Sequence, residues 1–562
     1  MILGLDVGGT QTDAVLVEEG QVVRATKTPT GDDLLATLRE AVDHTLCDLD
    51  PKRIKRMAFS TTMAINAIVQ DRLEPTGMIV SAGPGMDPEW FSIGPSFHVV
   101  DGCIDHQGYE VKPLDEKDVR GALSRIQDMD LRVLGLVGKF SVRNPIHERQ
   151  MAQWAGEAFL HRSMGHLNSG ILNFPRRIAT TYLNAALYPV QKQFSDALNR
   201  ILEEKGLLAS RYILKPDGGT LPLDQGNVLP ARTAQSGPAA SVMGALALDG
   251  CEGTTLVLDI GGTTTDMAVI LDGVPLMNPH GIKLGGYQTL IRSLLTHSLG
   301  LGGDSEVCVG KNGALRIGPQ RKGNPMALGG PAATPTDAMI ALGLLNVGKR
   351  EGAVAAMDRL GESMGMTGGD AAERVLTHMA HTISDSAEAF LREINSRPVY
   401  TVHEVLEDTR IDPTSVLVMG GPAPEVSPYL ARSLNLPCRV PPHHDVANAV
   451  GAAVARVTTS VTLQADTQRG KVIIPEANFE EDVGASFDLA AAVDLGQKIL
   501  GERAHLLGAD QRSLETVITE RQMFHMIRRG RITGRNIRLK LSVVPGLVSQ
   551  WTRARHPERI RE

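Results

Sequence analysis

Aromatic residues are scarce: Phe, Trp and Tyr make up 4% of the 562 residues. The five cysteines (Cys47, Cys103, Cys251, Cys308, Cys438) are scattered, with no CxxC pair. That excludes a disulfide framework and a cysteine-ligated cluster, and reads as reduced, buried thiols of a cytoplasmic protein. No apolar run is long enough to span a bilayer, because Thr255 to Ile270 is interrupted by Gly-Gly-Thr-Thr-Thr-Asp. The N-terminus enters a strand at once and meets Asp6, so no signal peptide is expected. The net charge of −7 points away from nucleic acid and from anionic membranes as partners of the whole chain. Between Arg521 and Glu562 eleven Lys/Arg face two acids, but Arg528-Arg529-Gly530-Arg531 has no interleaved aromatics. A solvated face or a docking surface for a partner subunit fits this run better than a nucleic-acid grip.

Glycine, by contrast, is abundant at 58 residues, and it clusters in a repeated phrase. Leu5-Asp6-Val7-Gly8-Gly9-Thr10-Gln11-Thr12-Asp13 returns as Leu258-Asp259-Ile260-Gly261-Gly262-Thr263-Thr264-Thr265-Asp266 at a constant offset of 253 residues. Glycines after a strand turn the backbone and present N–H groups to an anion, and threonine hydroxyls add donors. Asp6 and Asp259, at strand ends, suit the hydration shell of Mg2+. Asp13 and Asp266 either hold the loop or reach the metal. A single copy reads equally well as a plain hairpin turn; two copies in register favour paired phosphate cradles. A third strand-to-glycine turn, Val416 to Gly420-Gly421-Pro422, would let a flat base or ribose lie against backbone.

Strands near 57–59, 78–81 and 133–137 alternate with helices near 63–69 and 115–129, an α/β signature. Asp32 is expected to open a helix with an apolar face of Leu34, Leu35, Leu38, Val42, Leu46 and Leu49. A helix over 178–205 is expected to kink at Pro189. Residues 295–335 read as a glycine-rich loop, functional or disordered. From about 462 the character changes to a small C-terminal domain.

Two Asp-Gly-Gly-Thr loops followed by a strand–Gly-Gly element resemble the actin, sugar kinase and heat-shock cognate ATPase superfamily. Within it the chain is similar to the A-type subunits of the hydantoinase/5-oxoprolinase family. The likeness also runs through Ser60-Thr61-Thr62-Met63-Ala64-Ile65-Asn66, Asn144 to Arg149, Thr180 to Asn184, Ser236-Gly237-Pro238, His297 to Ser305 and Ala447 to Gly451. It departs at Leu295, where the family commonly has an acid, at Gly302-Gly303-Asp304-Ser305, and at Pro216-Asp217-Gly218-Gly219.

The resemblance implies an α/β fold of duplicated actin-like (ribonuclease H-like) ATPase domains around a central nucleotide cleft, plus a small C-terminal α+β domain. The expected domains are 1–175, 176–461 and 462–562. It implies ATP and Mg2+ as cofactors. Gly8, Gly9, Thr10, Thr12, Gly261, Gly262, Thr263, Thr265, Gly420 and Gly421 would hold nucleotide, and Asp6 and Asp259 the metal. Asp13 and Asp266 would orient or deprotonate a nucleophile. His297 would bind metal or substrate, or else be a loop histidine bonded to backbone. Asn66, Glu148 and Asp304 are candidate substrate contacts. The implied activity is ATP-dependent hydrolysis of a small cyclic amide through phosphorylation of its carbonyl oxygen. A ketone carboxylase subunit, a small-molecule kinase or activator ATPase, and a non-catalytic assembly protein are the alternatives. A B-type hydrolytic subunit and a homo-oligomer are the expected protein partners.

Overall fold

The computed structural model describes residues 1–31, 33–310, 313–396, 410–510 and 514–555. Its centre is two sheets built to one plan. In the first, strand Ile2–Val7 pairs antiparallel with Gln11–Glu18, which pairs with Gln21–Pro29; its other edge pairs parallel with Arg56–Thr61, followed by Ser210–Leu214 and Thr220–Pro222. In the second, Thr254–Ile260 pairs antiparallel with Thr265–Leu271, and on its other edge parallel with Ser415–Met419, then Cys438–Arg439. The sequence repeat is therefore a structural repeat, and the fold is a duplicated ribonuclease H-like α/β arrangement. Ile2–Val7 is buried along its whole length and Thr254–Ile260 nearly so, as strands covered on both faces must be.

The two sheets are joined by two helices of small residues, Ser236–Asp249 and Ala447–Val454. They cross at near-backbone distance. A Cβ on Gly451 would lie 2.1 Å from the Ala240 carbonyl oxygen, and one on Gly244 would lie 2.2 Å from that of Ala447. The second helix also packs on the first sheet, where a Cβ on Gly4 would lie 2.3 Å from the Ala449 oxygen.

A four-stranded parallel sheet (His161–Met164, Val133–Gly138, Thr76–Ser81, Ser96–Val100) is inserted in the first half. A five-stranded antiparallel sheet with helix Leu489–Leu506 closes the chain, which is the α+β character expected there. Its edge is a long hairpin, Thr516–Arg528 with Arg531–Val543, turned at Arg529-Gly530 with both φ positive.

Several expectations are corrected. The stretch 178–205 is two helices, Phe174–Ala186 and Tyr188–Glu204, broken at Leu187, because Pro189 sits in the first turn of the second helix. Residues 295–335 are not only loop: Thr296–Leu299 joins the second sheet beside Thr265–Leu271. All five thiols are free, yet only Cys251 is fully buried, while Cys47 and Cys308 are exposed. Asp32 lies outside the described residues, and Asp33 caps helix Leu34–Leu46. Arg559 and Arg561 also lie outside them. No helix among the described residues is long and apolar enough to cross a membrane.

Candidate functional site

Each repeated hairpin closes the same way. The Gly8 N–H donates to the Gln11 carbonyl at 3.0 Å, and the Gly261 N–H to that of Thr264 at 2.9 Å. Antiparallel register then sets the two aspartates of each copy opposite one another, Asp6 across from Asp13 and Asp259 across from Asp266. The turns face a cleft of about 690 Å3 between the two halves. Gly8, Thr10, Gly261, Gly262 and Thr263 line it, with Gln11, Asp13, Thr264 and Asp266.

Side chains alternate along a strand, and this removes two expected ligands. Thr12 and Thr265 point away from the cleft and are buried. The Thr12 hydroxyl bonds that of Thr30 at 3.0 Å, and the Thr265 hydroxyl donates to the Leu301 carbonyl at 2.7 Å. Gly9 sits at the exposed apex of its turn, outside the cleft wall.

The cleft floor is acidic. Burial pushes the carboxyls of Asp6 and Asp259 above the usual range, with Ser60 and Ser241 respectively, and the nearby Asn448 amide at both, opposing the shift. The Asp259 charge raises Asp6 further. Asp6 Oδ1 is buried with no hydrogen-bond partner. Two convergent carboxylates, one carrying an orphaned oxygen, fit a divalent cation that keeps most of its water and meets phosphate on its open side. No cluster of three or more His, Cys, Asp or Glu that could hold a metal is present among the described residues. Lys27, opposite Asp13 on the next strand, pairs with it at 3.1 Å.

Burial raises Asp13 to about 6 and Asp266 to about 7, with Ser298 and Lys27 as the respective opposing partners of Asp266 and Asp13. A carboxyl whose folded pKa exceeds its unfolded value, near 4, costs nothing below about 4. Its penalty then grows as pH rises through the folded value. The thermal midpoint of Asp266→Asn is therefore expected to match wild type near pH 4 and to exceed it increasingly up to about pH 7. Parallel melting curves across that range check this; a gap that does not change with pH would contradict it.

The third element lies where the sequence suggested. Gly420 and Gly421 line the cleft. Gly420 has φ of +92°, and a Cβ there would sit 2.1 Å from the Ile260 oxygen, so no other residue fits between this turn and the second hairpin. His444 braces it: the Gly420 N–H donates to the His444 carbonyl at 3.0 Å, and the His444 ring lies 2.8 Å from the Gly420 carbonyl. Pro422, Leu328, Leu345 and Val347 supply an apolar wall beside the glycines. Asp304 also faces the cleft. It is paired with Arg321 at 3.1 Å and tied by its backbone N–H to the Gly262 carbonyl at 2.7 Å.

Three predicted site residues are elsewhere. His297 lies opposite Met267, a core residue, and its ring stacks on Phe390 and bonds Ser386 at 3.2 Å. Its neighbour Ser298, of opposite parity, is the one that reaches Asp266. Asn66 is exposed on helix Met63–Val69, where its amide bonds Thr62 at 3.3 Å. Glu148 is fully buried beneath the four-stranded sheet. Its oxygens are taken by the Gly138 N–H at 2.8 Å and by the His166 N–H and ring. Conversely Lys27, Arg321 and Asn448 stand at the cleft without having been singled out. His444 stands there too, although His443-His444 looks in the sequence like a metal pair whose adjacent side chains diverge, and so reads as a solvated loop. Asn448 lies in the Ala447 to Gly451 stretch, while Lys27 has no local signal.

The chain matches a family model described as Hydantoinase/oxoprolinase over residues 177–461, and one described as Hydantoinase/oxoprolinase N-terminal region over 2–159. It is 26% identical over 468 residues to caprolactamase subunit alpha of Pseudomonas jessenii, covering 74% of this chain and 64% of that protein. It is 27% identical over 395 residues to the acetophenone carboxylase gamma subunit of Aromatoleum aromaticum, covering 61% and 53%. The chain thus spans between half and two-thirds of those relatives' length. Among solved structures, the ATP-dependent caprolactamase from Pseudomonas jessenii superposes with a TM-score of 0.70 at 19% identity, covering 96% of this chain and 87% of that one. Nucleotide-free acetone carboxylase gives 0.69 at 18% identity, covering 98% and 88%. At these identities the superpositions speak to the fold.

Proposed function

Since the chain belongs to the hydantoinase/oxoprolinase family, we propose that it is an ATP-dependent hydrolase that opens a small cyclic amide. The observation that carries this reading is the pair of Asp-Gly-Gly-Thr hairpins facing one cleft, with Asp259 on its wall, Asp6 buried within electrostatic reach of Asp259, and one Asp6 oxygen unpartnered. Names among the relatives support the choice of substrate class: caprolactamase subunit alpha and a yeast 5-oxoprolinase.

In this reading ATP with Mg2+ supplies a phosphoryl group to the amide carbonyl oxygen, which turns a poor electrophile into one that water can open. The chain's own residues do the positioning. Backbone N–H groups of both turns and the hydroxyls of Thr10 and Thr263 hold phosphoryl oxygens. Asp6 and Asp259 orient the metal's water shell. Gly420 and Gly421 let the base approach backbone, against Leu328, Leu345 and Val347. Lys27 offsets the acidic charge on the first-hairpin side and Arg321 on the Asp304 side. Asp266, raised to about 7, is the aspartate of the second hairpin best suited to accept a proton near neutral pH. Closure of the halves over the small-residue helices would exclude water.

A second reading, a ketone carboxylase subunit, is favoured by the acetophenone carboxylase gamma subunit among the relatives. Several relatives are named as subunits, which supports a working complex with a hydrolytic partner chain. The discriminating experiment is ATPase turnover against a panel of cyclic amides and of ketones with bicarbonate, with and without a B-type partner. Stimulation of at least about tenfold by a cyclic amide is expected. Stimulation by ketones alone would replace this reading with the second, and stimulation by neither would remove both.

A further inference from the structure

A second cavity shares no wall residue with the nucleotide cleft and stands independently of that reading. It is a small, partly open pocket of about 40 Å3 where the inserted parallel sheet, the first central sheet, the segment around 290–292 and the C-terminal sheet meet. Its charged wall consists of Lys215, Arg232, Arg292 and Lys540 against Asp217 and Glu476.

The two carboxylates are already satisfied. Asp217 accepts from Lys215 at 3.1 Å, from the Gly219 N–H at 3.1 Å and from Thr458 at 2.9 Å. Glu476 accepts from the Gly170 N–H at 2.8 Å, and from the Thr462 N–H and hydroxyl at 3.1 and 2.8 Å. Lys215 is likewise saturated, by Asp217 and by the carbonyl and hydroxyl of Thr458. The other three cations are not. Arg232 makes one hydrogen bond, from Nη2 to the Asn168 carbonyl at 2.7 Å. Arg292 makes one long contact, to the Val543 carbonyl at 3.5 Å. The Lys540 ammonium makes no hydrogen bond, and none of the three forms an ion pair, among the described residues. Glu520, on the neighbouring strand, faces Lys540 in register and pairs instead with Arg538 at 3.2 Å. Burial lowers Lys540 and brings Arg232 down to about 10, with neighbouring arginine charge adding to the shift and Glu476 opposing it in both.

Three half-buried cations with unused donors converge on this small pocket, and an anion there would meet all three. The size of the pocket limits which anion. A water needs about 10–15 Å3 by this measure, so the cavity admits roughly three or four non-hydrogen atoms. That excludes a nucleotide. A guanidinium fork matches a planar oxyanion through two parallel hydrogen bonds. We infer that this junction binds a small planar monoanion of the carboxylate or bicarbonate class, held by Arg232, Arg292 and Lys540.

The test uses the full chain, with sodium formate, sodium bicarbonate and sodium chloride titrated at equal ionic strength and pH. Formate or bicarbonate is expected to raise the thermal midpoint with concentration beyond chloride, and to bind one-to-one by calorimetry. Response to formate alone identifies a carboxylate site; response to bicarbonate alone identifies a carbonate site. Arg292→Gln and Lys540→Gln should each weaken the binding at least fivefold. They should also fold without the anion, since Lys540 Nζ makes no hydrogen bond and Arg292 a single long one among the described residues. Midpoint shifts no larger than chloride's for both anions, or undiminished binding in both variants, would overturn the inference. Should either variant fail to fold, line broadening of 13C-formate or 13C-bicarbonate by the wild-type chain decides. Broadening reversed by excess unlabelled anion supports the site, and its absence for both anions rejects it.

Discussion

Asp6→Asn and Asp259→Asn are each expected to lower ATP turnover by at least about 10³-fold, the scale lost when a group aimed at developing charge is removed, while raising the thermal midpoint of the nucleotide-free protein. Both effects have one origin. The carboxylates are held without enough counter-charge, as their raised pKa values and the orphaned Asp6 oxygen indicate. Asparagine keeps the shape and removes the charge, so the folded chain no longer bears the desolvation cost at neutral pH. The same change removes the anchor for a hydrated cation. A stabilised but inactive protein is the pattern of a functional site that costs stability. Normal turnover in both variants would sink the proposed cradle, whatever their stability.

The second large effect is expected at a position that touches no nucleotide. Gly451→Ala places a methyl 2.1 Å from the Ala240 carbonyl and 2.5 Å from the Gly244 nitrogen. Both are backbone atoms of helix Ser236–Asp249, so no side chain can turn aside. Overpacking of this kind costs about 3 kcal/mol, and here it must also force the two helices apart. Asn448 stands three residues earlier on the same helix, and its amide favours the charged form of both Asp6 and Asp259. Gly451→Ala should therefore lower the thermal midpoint by several degrees and reduce turnover in what remains folded. Gly421→Ala is the control at the cleft, because a Cβ there meets nothing within 4 Å. Calorimetry on both variants checks this, and equal midpoints would contradict it.

The repeat was legible because a strand–turn–strand is a local event. Its glycines, threonines and aspartates sit within nine consecutive residues, and the offset of 253 is exact to the residue. Helix ends were legible for the same reason, as where Asp115 caps Glu116–Asp128. Strand parity separates Thr12 and Thr265 from the cleft-facing aspartates. Counting by two from Asp13 or Asp266 assigns those threonines to the opposite face of their strand. His297 went wrong because the strand Thr296–Leu299 was hidden in a glycine-rich stretch. Without that strand there was no parity to separate His297 from Ser298. Lys27 and Asn448 reach the site through sheet register and a helix crossing, which pair residues distant in sequence and leave no local trace. Glu148 is polar and sits in a motif shared with the family, yet its surroundings are buried backbone and His166, which no sequence spacing discloses.

The most direct test of the two-hairpin account is equilibrium binding of a non-hydrolysable ATP analogue, titrated by calorimetry with and without Mg2+ in wild type, Asp6→Asn and Asp259→Asn. The account predicts saturable one-to-one binding in wild type that Mg2+ tightens at least tenfold, and loss of that Mg2+ dependence in both variants. No binding by wild type, or an affinity indifferent to Mg2+ and to both substitutions, would contradict it.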